Sequence, residues 1–231
     1  TVGDAELDEG NVWEAIADPT TADLGNFTMV IDLNRQSLDR VIPDIQATRL
    51  MNFFADAGWH VAVAKYGSRL TAAFAEPGGD ALRARIDAMS NEAYQQLFAL
   101  DGPAVRDKLC AGADPAVREW ADGYDDSALK AVVTDLGGHD LRLLVDSLRS
   151  CDEQADRPGA LFAYTVKGWG LPIAGDPLNH AALLTRAQID AFRDQLGLTP
   201  ETEWDRFDPA SDAGRLCASV GSSINNRPPP A

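Results

Sequence analysis

The sequence predicts an α/β protein in which a parallel β-sheet is flanked by helices. The apolar run FTMVIDL (Phe27–Leu33) is interrupted only by Thr28 and Asp32 and is typical of a strand buried on both faces. The segment ATRLMNFFADAGW has apolar residues at helical spacing and ends at Gly58. HVAVAKYG (His60–Gly67) predicts the next strand. A strand, a helix and a strand within about 40 residues indicate a βαβ unit of a parallel sheet.

The other elements follow from the same patterns. Thr1 and Val2 form the tail of a first strand. From Leu70 to about Ala155 the pattern is almost purely helical, punctuated by glycine and proline, which predicts a largely helical insertion in the middle of the chain. A strand returns at Ala160–Val166, and TRAQIDAFRDQLG predicts one more helix.

The C-terminal residues, SSINNRPPPA, contain three consecutive prolines. Such a run favours polyproline II and is typical of a linker. We therefore expect one domain over residues 1–221 and a proline-rich interdomain linker over residues 222–231.

The composition restricts the possible partners. The formal net charge is −16 and the isoelectric point is near 4.4, so nucleic acid or an anionic membrane surface would be repelled. Three widely separated cysteines give neither a disulfide framework nor a zinc site, and a reducing cytoplasm is the expected compartment. No apolar run approaches the roughly 20 residues of a membrane span. An anionic ligand would need a metal ion to mediate its binding.

Three loops follow three of the predicted strands: Gly3-Asp4-Ala5, Asn34-Arg35-Gln36 and Lys167-Gly168-Trp169-Gly170. Ligands of an open parallel sheet bind outside the carboxyl ends of its strands. We therefore expect these loops to converge on one site.

Oxygen donors in the first two loops suit a magnesium ion. Asp4, Asn34 and a carbonyl near Gln36 are hard ligands of the kind that Mg²⁺ takes together with water or phosphate oxygens. Gly3 lets the backbone approach a phosphate closely, and a helix N-terminus just beyond it favours the anion. The implied ligand is a diphosphate held through a divalent cation. The spacing alone leaves open an acidic turn followed by an ordinary asparagine at a strand end.

The sequence GDAELDE, followed by NFTMVIDLNRQSLD, resembles the thiamine-diphosphate motif of the homodimeric bacterial pyruvate dehydrogenase decarboxylase component, a transketolase relative. That family has GDGEMDE and later NLVFVINCNLQRLD. The resemblance continues through FFADAGWHVAVAKYGSR, EAYQQLFALDGPAVRDKL, GGHD, AYTVKGWG and LNHA, and covers essentially the whole chain in order. It implies a transketolase-like fold, thiamine diphosphate and Mg²⁺ as cofactors, a second copy of the enzyme as homodimer partner, and a lipoyl-bearing acetyltransferase core that receives the acetyl unit.

In this family the Gly-Asp segment lies midway through the diphosphate-binding domain. The resemblance therefore implies that the chain is the second half of that domain, cut upstream of Thr1 and downstream of Ala231. Missing N- and C-terminal domains or subunits follow from this, and the segment alone is expected to be inactive. A fragment and a naturally split subunit remain alternatives.

The resemblance also assigns the cofactor-binding residues. Asp4, Asn34 and Gln36 match the ligands of Mg²⁺, and Gly3, Ala5 and Glu6 match the segment that binds the cofactor. Ala5 departs from the family, which has a second glycine there. If that position requires a positive φ, a Cβ atom costs about 1 kcal/mol or more.

Two histidines are candidate catalytic residues. His139 in LGGHD matches a histidine on a mobile active-site loop that helps pass the acetyl unit to the lipoyl group, and Gly137 and Gly138 suit such a loop. The alternative is a surface histidine at the start of a helix. His180 in LNHA matches a histidine that faces the cofactor or substrate, with a packed histidine as the alternative. His60, where the family has asparagine, is expected to be structural.

The resemblance implies a 2-oxo-acid dehydrogenase that decarboxylates pyruvate and passes the acetyl unit to a lipoyl partner. Leu100 replaces a family lysine suited to contact the substrate, which weakens the pyruvate assignment more than the thiamine-diphosphate assignment. A transketolase-like or other thiamine-diphosphate enzyme is therefore one alternative. A noncatalytic module that retains the fold is the other.

Overall fold

The computed structural model describes residues 1–34, 36–37, 40–41 and 47–225, with the backbone alone for 36–37, 40–41 and Asn225. The chain divides into two compact units, Thr1–Leu183 and Leu184–Ala231. This division falls inside the predicted domain of residues 1–221, whose boundary stays a prediction.

The first unit is built on a parallel sheet. The strands of the whole unit are β1 (Val2–Gly3), β2 (Thr28–Leu33), β3 (Gln36–Ser37), β4 (Arg40–Val41), β5 (His60–Ala64) and β6 (Gly159–Tyr164). β1, β2, β6 and β5 lie side by side in that order, and every pairing among them is parallel. β3 and β4 form a separate antiparallel pair. The predicted parallel α/β architecture is confirmed.

Helices flank this sheet and fill the predicted insertion. Two 3-10 helices cover Asp4–Asp8 and Gly137–His139. The α-helices of this unit are α1 (Gly10–Ala17), α2 (Pro19–Ala22), α3 (Ala47–Asp56), α4 (Ser68–Ala73), α5 (Gly79–Ala88), α6 (Asn91–Ala99), α7 (Gly102–Cys110), α8 (Pro115–Ala121), α9 (Asp126–Val133) and α10 (Leu141–Asp152).

Two main cores hold the unit together. Around the sheet, Phe54 is fully buried and meets the rings of Trp13, Trp59 and Phe162 edge-on, at centroid distances of 5.2–5.9 Å. The helical insertion has its own core, whose fully buried members include Leu70, Leu82, Leu97, Val105, Leu109, Val117, Leu129 and Val133. The insertion is therefore a self-packed helical layer that can serve as a rigid support for neighbouring loops.

The second unit contains α11 (Arg186–Gln195) and α12 (Asp212–Asn225). Thr185 and Gln188 form a capping box at the start of α11. α12 continues to Asn225, so residues 222–225 are helical where the proline run predicts an extended linker, and the prolines themselves lie outside the described residues. Within the part of the chain that the structure describes, no helix is long and apolar enough to cross a membrane.

Candidate functional site

Asp4 and Asn34 lie at the same edge of the sheet. Asp4 is the first residue after β1 and Asn34 the first after β2, and these adjacent strands are parallel, with Gly3 opposite Asp32. Asp4 is buried, with 9% of its surface exposed. The carboxyl ends of both strands therefore present an oxygen donor at one edge, as the loop argument predicts. Gln36 begins β3, and its side chain lies outside the described residues.

The backbone at Ala5 carries no penalty for its Cβ atom. Asp4–Asp8 is a 3-10 helix, whose residues have negative φ. The backbone N–H of Gly3 donates to the Glu6 carboxylate, which holds the start of this helix. The cost that a positive φ would impose on Ala5 does not arise in this conformation.

Asn34 is held by contacts on both its side chain and its backbone. Its Nδ2 donates to Asp32 Oδ2 at 3.4 Å, and the other Asp32 oxygen accepts a hydrogen bond from the Thr165 hydroxyl. The main-chain oxygen of Asn34 accepts from Gln95 Nε2 at 2.7 Å. No local sequence pattern marks Gln95 for this contact, because its partner is 61 residues away in the chain.

The His139 imidazole accepts a hydrogen bond and is stacked on an aromatic ring. Its Nε2 accepts the backbone N–H of Val166 at 2.9 Å, and its ring stacks on Trp169 with a centroid distance of 4.6 Å and an interplanar angle of 9°. Burial lowers the pKa of His139 to about 4, an effect that the Asp32 carboxylate opposes. The imidazole is therefore neutral at pH 7, with Nε2 unprotonated.

The glycines before His139 allow close packing. A Cβ on Gly137 would lie 2.5 Å from the backbone of Ala64, and one on Gly138 would lie 2.4 Å from the oxygen of Tyr164. The segment is therefore packed against the ends of β5 and β6 in this structure, and the mobility predicted for the loop stays a prediction.

His180 is exposed and lies beside Lys167. Its Nδ1 is 2.6 Å from Lys167 Nζ, so the ammonium donates and the imidazole nitrogen accepts. Lys167 belongs to the loop that follows β6. Asn179, which is 7% exposed, donates through Nδ2 to the oxygens of Lys167 at 2.9 Å and Ile173 at 3.0 Å. The pair is thus held by a buried amide, and His180 is not a packed histidine.

An open cleft at this edge of the sheet brings several of these groups together. Its lining includes Asp32, Asn34, His139, Lys167 and Trp169. Asp4 and His180 do not line it. Among the described residues, no three His, Cys, Asp or Glu side chains converge as a metal site. A cation bound between Asp4 and Asn34 at this edge of the sheet would therefore need amide and carbonyl oxygens besides the Asp4 carboxylate.

His60 and Leu100 differ from the family sequence outside the three loops, and both have a structural explanation. His60 Nε2 lies 2.9 Å from Ser150 Oγ, a contact between β5 and α10 that suits the structural role predicted for it. Leu100 packs against the helical core, and its main-chain oxygen accepts from Lys130 Nζ at 2.5 Å. A lysine side chain is therefore close to this position, but it satisfies the end of α6.

Solved structures identify the class of fold. A transketolase from Pichia stipitis, crystallised with sedoheptulose-7-phosphate, matches with a TM-score of 0.50 and 15% sequence identity, over 96% of this chain and 22% of that chain. At this identity the similarity concerns the fold alone. It confirms the predicted transketolase-like arrangement of a parallel sheet and flanking helices.

Sequence comparison with curated proteins finds relatives that share one name. The chain is 28% identical to the pyruvate dehydrogenase E1 component of Corynebacterium glutamicum, over 90% of this chain and 23% of that relative. The proteins of the same name from Cupriavidus necator and Escherichia coli K12 are 28% and 27% identical, over 85% and 83% of this chain and 22% of each relative. No family model matches the chain. The resemblance carried by the motifs is confirmed, and the chain spans less than a quarter of the length of these relatives.

Proposed function

We propose that this chain is part of a thiamine-diphosphate- and Mg²⁺-dependent 2-oxo-acid dehydrogenase of the pyruvate dehydrogenase type. One observation carries the proposal: Asp4 and Asn34 follow neighbouring parallel strands and share one edge of the sheet. The similarity to pyruvate dehydrogenase E1 components supports it.

The donor set at this edge fits a magnesium ion. A buried carboxylate from Asp4 and an amide oxygen from Asn34 are hard ligands, and the backbone carbonyl of Gln36 is the third in the proposal. The rest of the octahedron would come from water and diphosphate oxygens. A chain with a net charge of −16 needs such a cation to bind a diphosphate.

Thiamine diphosphate, when bound, supplies the carbanion and the electron sink that decarboxylation of a 2-oxo acid needs. The residues of this chain contribute binding and orientation. Gly3 and Glu6 hold the turn that presents Asp4, and Ala5 belongs to the same short helix. Asp32 and Gln95 hold Asn34 from two directions.

His139 and His180 are the proposed acid–base residues, and their surroundings in the structure differ. His139 is neutral at pH 7 and its Nε2 is engaged by Val166, so it orients the loop after β6. His180 is exposed and accepts from Lys167, an arrangement that can hold or move a proton between ring and ammonium nitrogen. The task proposed for His180 is contact with the cofactor or substrate, and the task proposed for His139 is proton transfer during passage of the acetyl unit to the lipoyl group.

The larger context is also a proposal. We propose that the chain acts with further domains or subunits, as a homodimer, in the cytoplasm, and with a lipoyl-bearing acetyltransferase core, as the motif resemblance implies; its coverage of less than a quarter of the relatives supports the further domains or subunits. A transketolase-like or other thiamine-diphosphate enzyme is the second candidate. The apolar Leu100 in place of a substrate-contacting lysine favours it, because pyruvate would lose a cationic partner.

Calorimetric titration with thiamine diphosphate and Mg²⁺ tests the proposal. In the complete protein that contains this chain, we expect Asp4→Ala to abolish Mg²⁺-dependent cofactor binding and to leave the fold intact, because the variant removes the charged ligand. Asp8→Ala is the matched control, since Asp8 is exposed in the same short helix. Cofactor affinity that is unchanged in Asp4→Ala, or lost equally in Asp8→Ala, would contradict the assigned role. A wild-type protein that binds no thiamine diphosphate in the presence of Mg²⁺ would favour the noncatalytic alternative.

A further inference from the structure

Gln95 is one of four buried polar or charged side chains among the described residues, with 6% of its surface exposed. A buried amide is stable only when its polar atoms have hydrogen-bond partners. Its Nε2 donates to the main-chain oxygen of Asn34 at 2.7 Å. The side chain thus crosses from the helical insertion to the residue proposed to hold the metal.

The Asn34 oxygen that accepts this hydrogen bond lies one residue beyond the end of β2. The last ladder contact of β2 is the Thr165 N–H, which donates to the Leu33 oxygen at 3.3 Å. The next carbonyl, that of Asn34, receives the Gln95 amide instead. A side chain from α6 therefore continues the hydrogen bonding of β2 by one residue and sets the direction in which the chain leaves the sheet.

α6 is itself rigidly attached to the helical core. Ser90 Oγ accepts the Ala93 N–H at the start of the helix, and Tyr94 Oη donates to the Val133 oxygen at 2.8 Å. Leu97 is fully buried, and Lys130 Nζ donates to the last carbonyls of the helix. The Gln95 amide is thus presented by an element that is fixed at both ends.

The same residue supports the loop that carries His180. A Cβ on Gly175 would lie 2.5 Å from the main-chain oxygen of Gln95, so the loop packs directly on the backbone of α6. Gly175 has φ +75°, which glycine alone adopts readily. One turn of α6 therefore contacts both segments of the proposed site, Asn34 through its side chain and residues 168–180 through its backbone.

We propose that Gln95 is a positioning residue for the metal-binding loop, and that the helical insertion sets the geometry of the site through it. This inference rests on the proposed function. Partners that orient a metal ligand change metal affinity by about 10- to 100-fold when they are removed. We expect an effect of that size from a residue that touches neither metal nor cofactor.

The test uses the complete protein that contains this chain, as wild type and with the substitutions Gln95→Glu, Gln95→Met and Gln96→Glu. Glutamate and methionine at position 95 keep the size of the side chain and lose the donor. Gln96 is the matched control on the same helix, because its Oε1 accepts from Lys108 and a carboxylate can do the same. Mn²⁺ binding in the presence of thiamine diphosphate is measured by electron paramagnetic resonance. Hydrogen exchange of residues 28–34 is measured without metal.

We expect both Gln95 variants to bind Mn²⁺ at least tenfold more weakly and to exchange Asn34 and its neighbours at least tenfold faster, with Gln96→Glu unchanged in both. Gln95 affinities and exchange rates within twofold of the wild type would overturn the inference. Loss of folding in both Gln95 variants would also overturn it, since Gln95 would then be a core residue. Wild-type protein that binds no Mn²⁺ would refute the proposed function, while the exchange rates would still decide the role of Gln95.

Discussion

Burial of the His139 imidazole should make the stability of the fold depend on pH between 7 and 5. Burial lowers the pKa of His139 from its usual 6.5 to about 4, and Asp32 offsets this only in part. The neutral ring is also the form that accepts the Val166 N–H. Because the folded pKa lies below the unfolded pKa, this stabilisation is present above pH 6.5 and is lost as the pH falls towards 4.

The expected loss follows from the difference between the two pKa values. One pKa unit corresponds to about 1.4 kcal/mol, so a fall from 6.5 to about 4 sets an upper limit of about 3 kcal/mol. Lowering the pH from 7 to 5 forfeits about 2 kcal/mol of this, since the unfolded ring is then almost fully protonated. The ring is only half-buried, and solvent screening reduces the expected value to about 1 kcal/mol.

Urea unfolding of the wild type and of His139→Gln at pH 7 and pH 5 measures this loss. Glutamine keeps an acceptor for the Val166 N–H but takes up no proton, so the free energy of unfolding of the wild type should fall by about 1 kcal/mol more than that of the variant. His180→Gln is the matched control, because His180 is exposed and should leave the wild-type dependence intact. Equal losses in the wild type and His139→Gln would refute the assignment of His139 as a buried acceptor.

Three further outcomes are expected. Phe54→Ala should lower the free energy of unfolding by about 3–5 kcal/mol, because the ring is fully buried among aromatic neighbours, and Phe53→Ala, at a position 45% exposed, should cost less than half as much in the same denaturation assay. Gly175→Ala should lower the melting temperature more than Gly112→Ala. Both glycines have positive φ, but only at Gly175 would the added Cβ clash with the Gln95 oxygen. Equal shifts in the two variants would contradict the close packing of Gly175 on Gln95. The 231-residue chain alone should show no measurable pyruvate decarboxylation, because it spans less than a quarter of its relatives, and turnover by the purified chain would refute this.

The sheet could be predicted because its strands are largely apolar runs, and its central strand β6 is buried on both faces. Every residue of β6 is buried, and this central strand is the uninterrupted apolar run GALFAY. In β2 the single charged residue, Asp32, lies near the carboxyl end, where it contacts Asn34 and Thr165. The carboxyl edge where the site is proposed was predicted from the loops that follow the strands, and Asp32 lies beside it.

The helices of the insertion could also be predicted from the sequence. Ser90, Asp101, Asp114 and Asp125 each accept a first-turn N–H of the helix that follows, at α6, α7, α8 and α9. These side chains satisfy backbone donors that no helical carbonyl reaches, so their positions mark where helices begin. Proline follows soon after the cap in α7 and α8, in the first turn where it is tolerated.

The supports of the site could not be predicted in this way, because each joins residues that are distant in sequence. Gln95 lies in a short amphipathic helix where a glutamine suggests the solvent face, and its burial depends on Asn34, 61 residues earlier. His139 follows two glycines that suggest mobility, and its fixed state depends on Val166 and Trp169. Local patterns carry no information about such partners.

These long-range contacts also explain why the loops of a transketolase-like sheet can hold a site that the strands alone would leave loose. A parallel strand fixes its last residue through the ladder, and the next residue has no ladder partner. Directly after β2, the Asn34 oxygen is held by Gln95; after β6, the Thr165 N–H still bonds to the Leu33 oxygen, and the Val166 N–H beyond it is held by His139. Both partners come from outside the sheet, one from α6 and one from the 3-10 helix before α10. It follows that substitutions in the helical layer, far from the motif in sequence, can change the proposed metal site without touching its ligands.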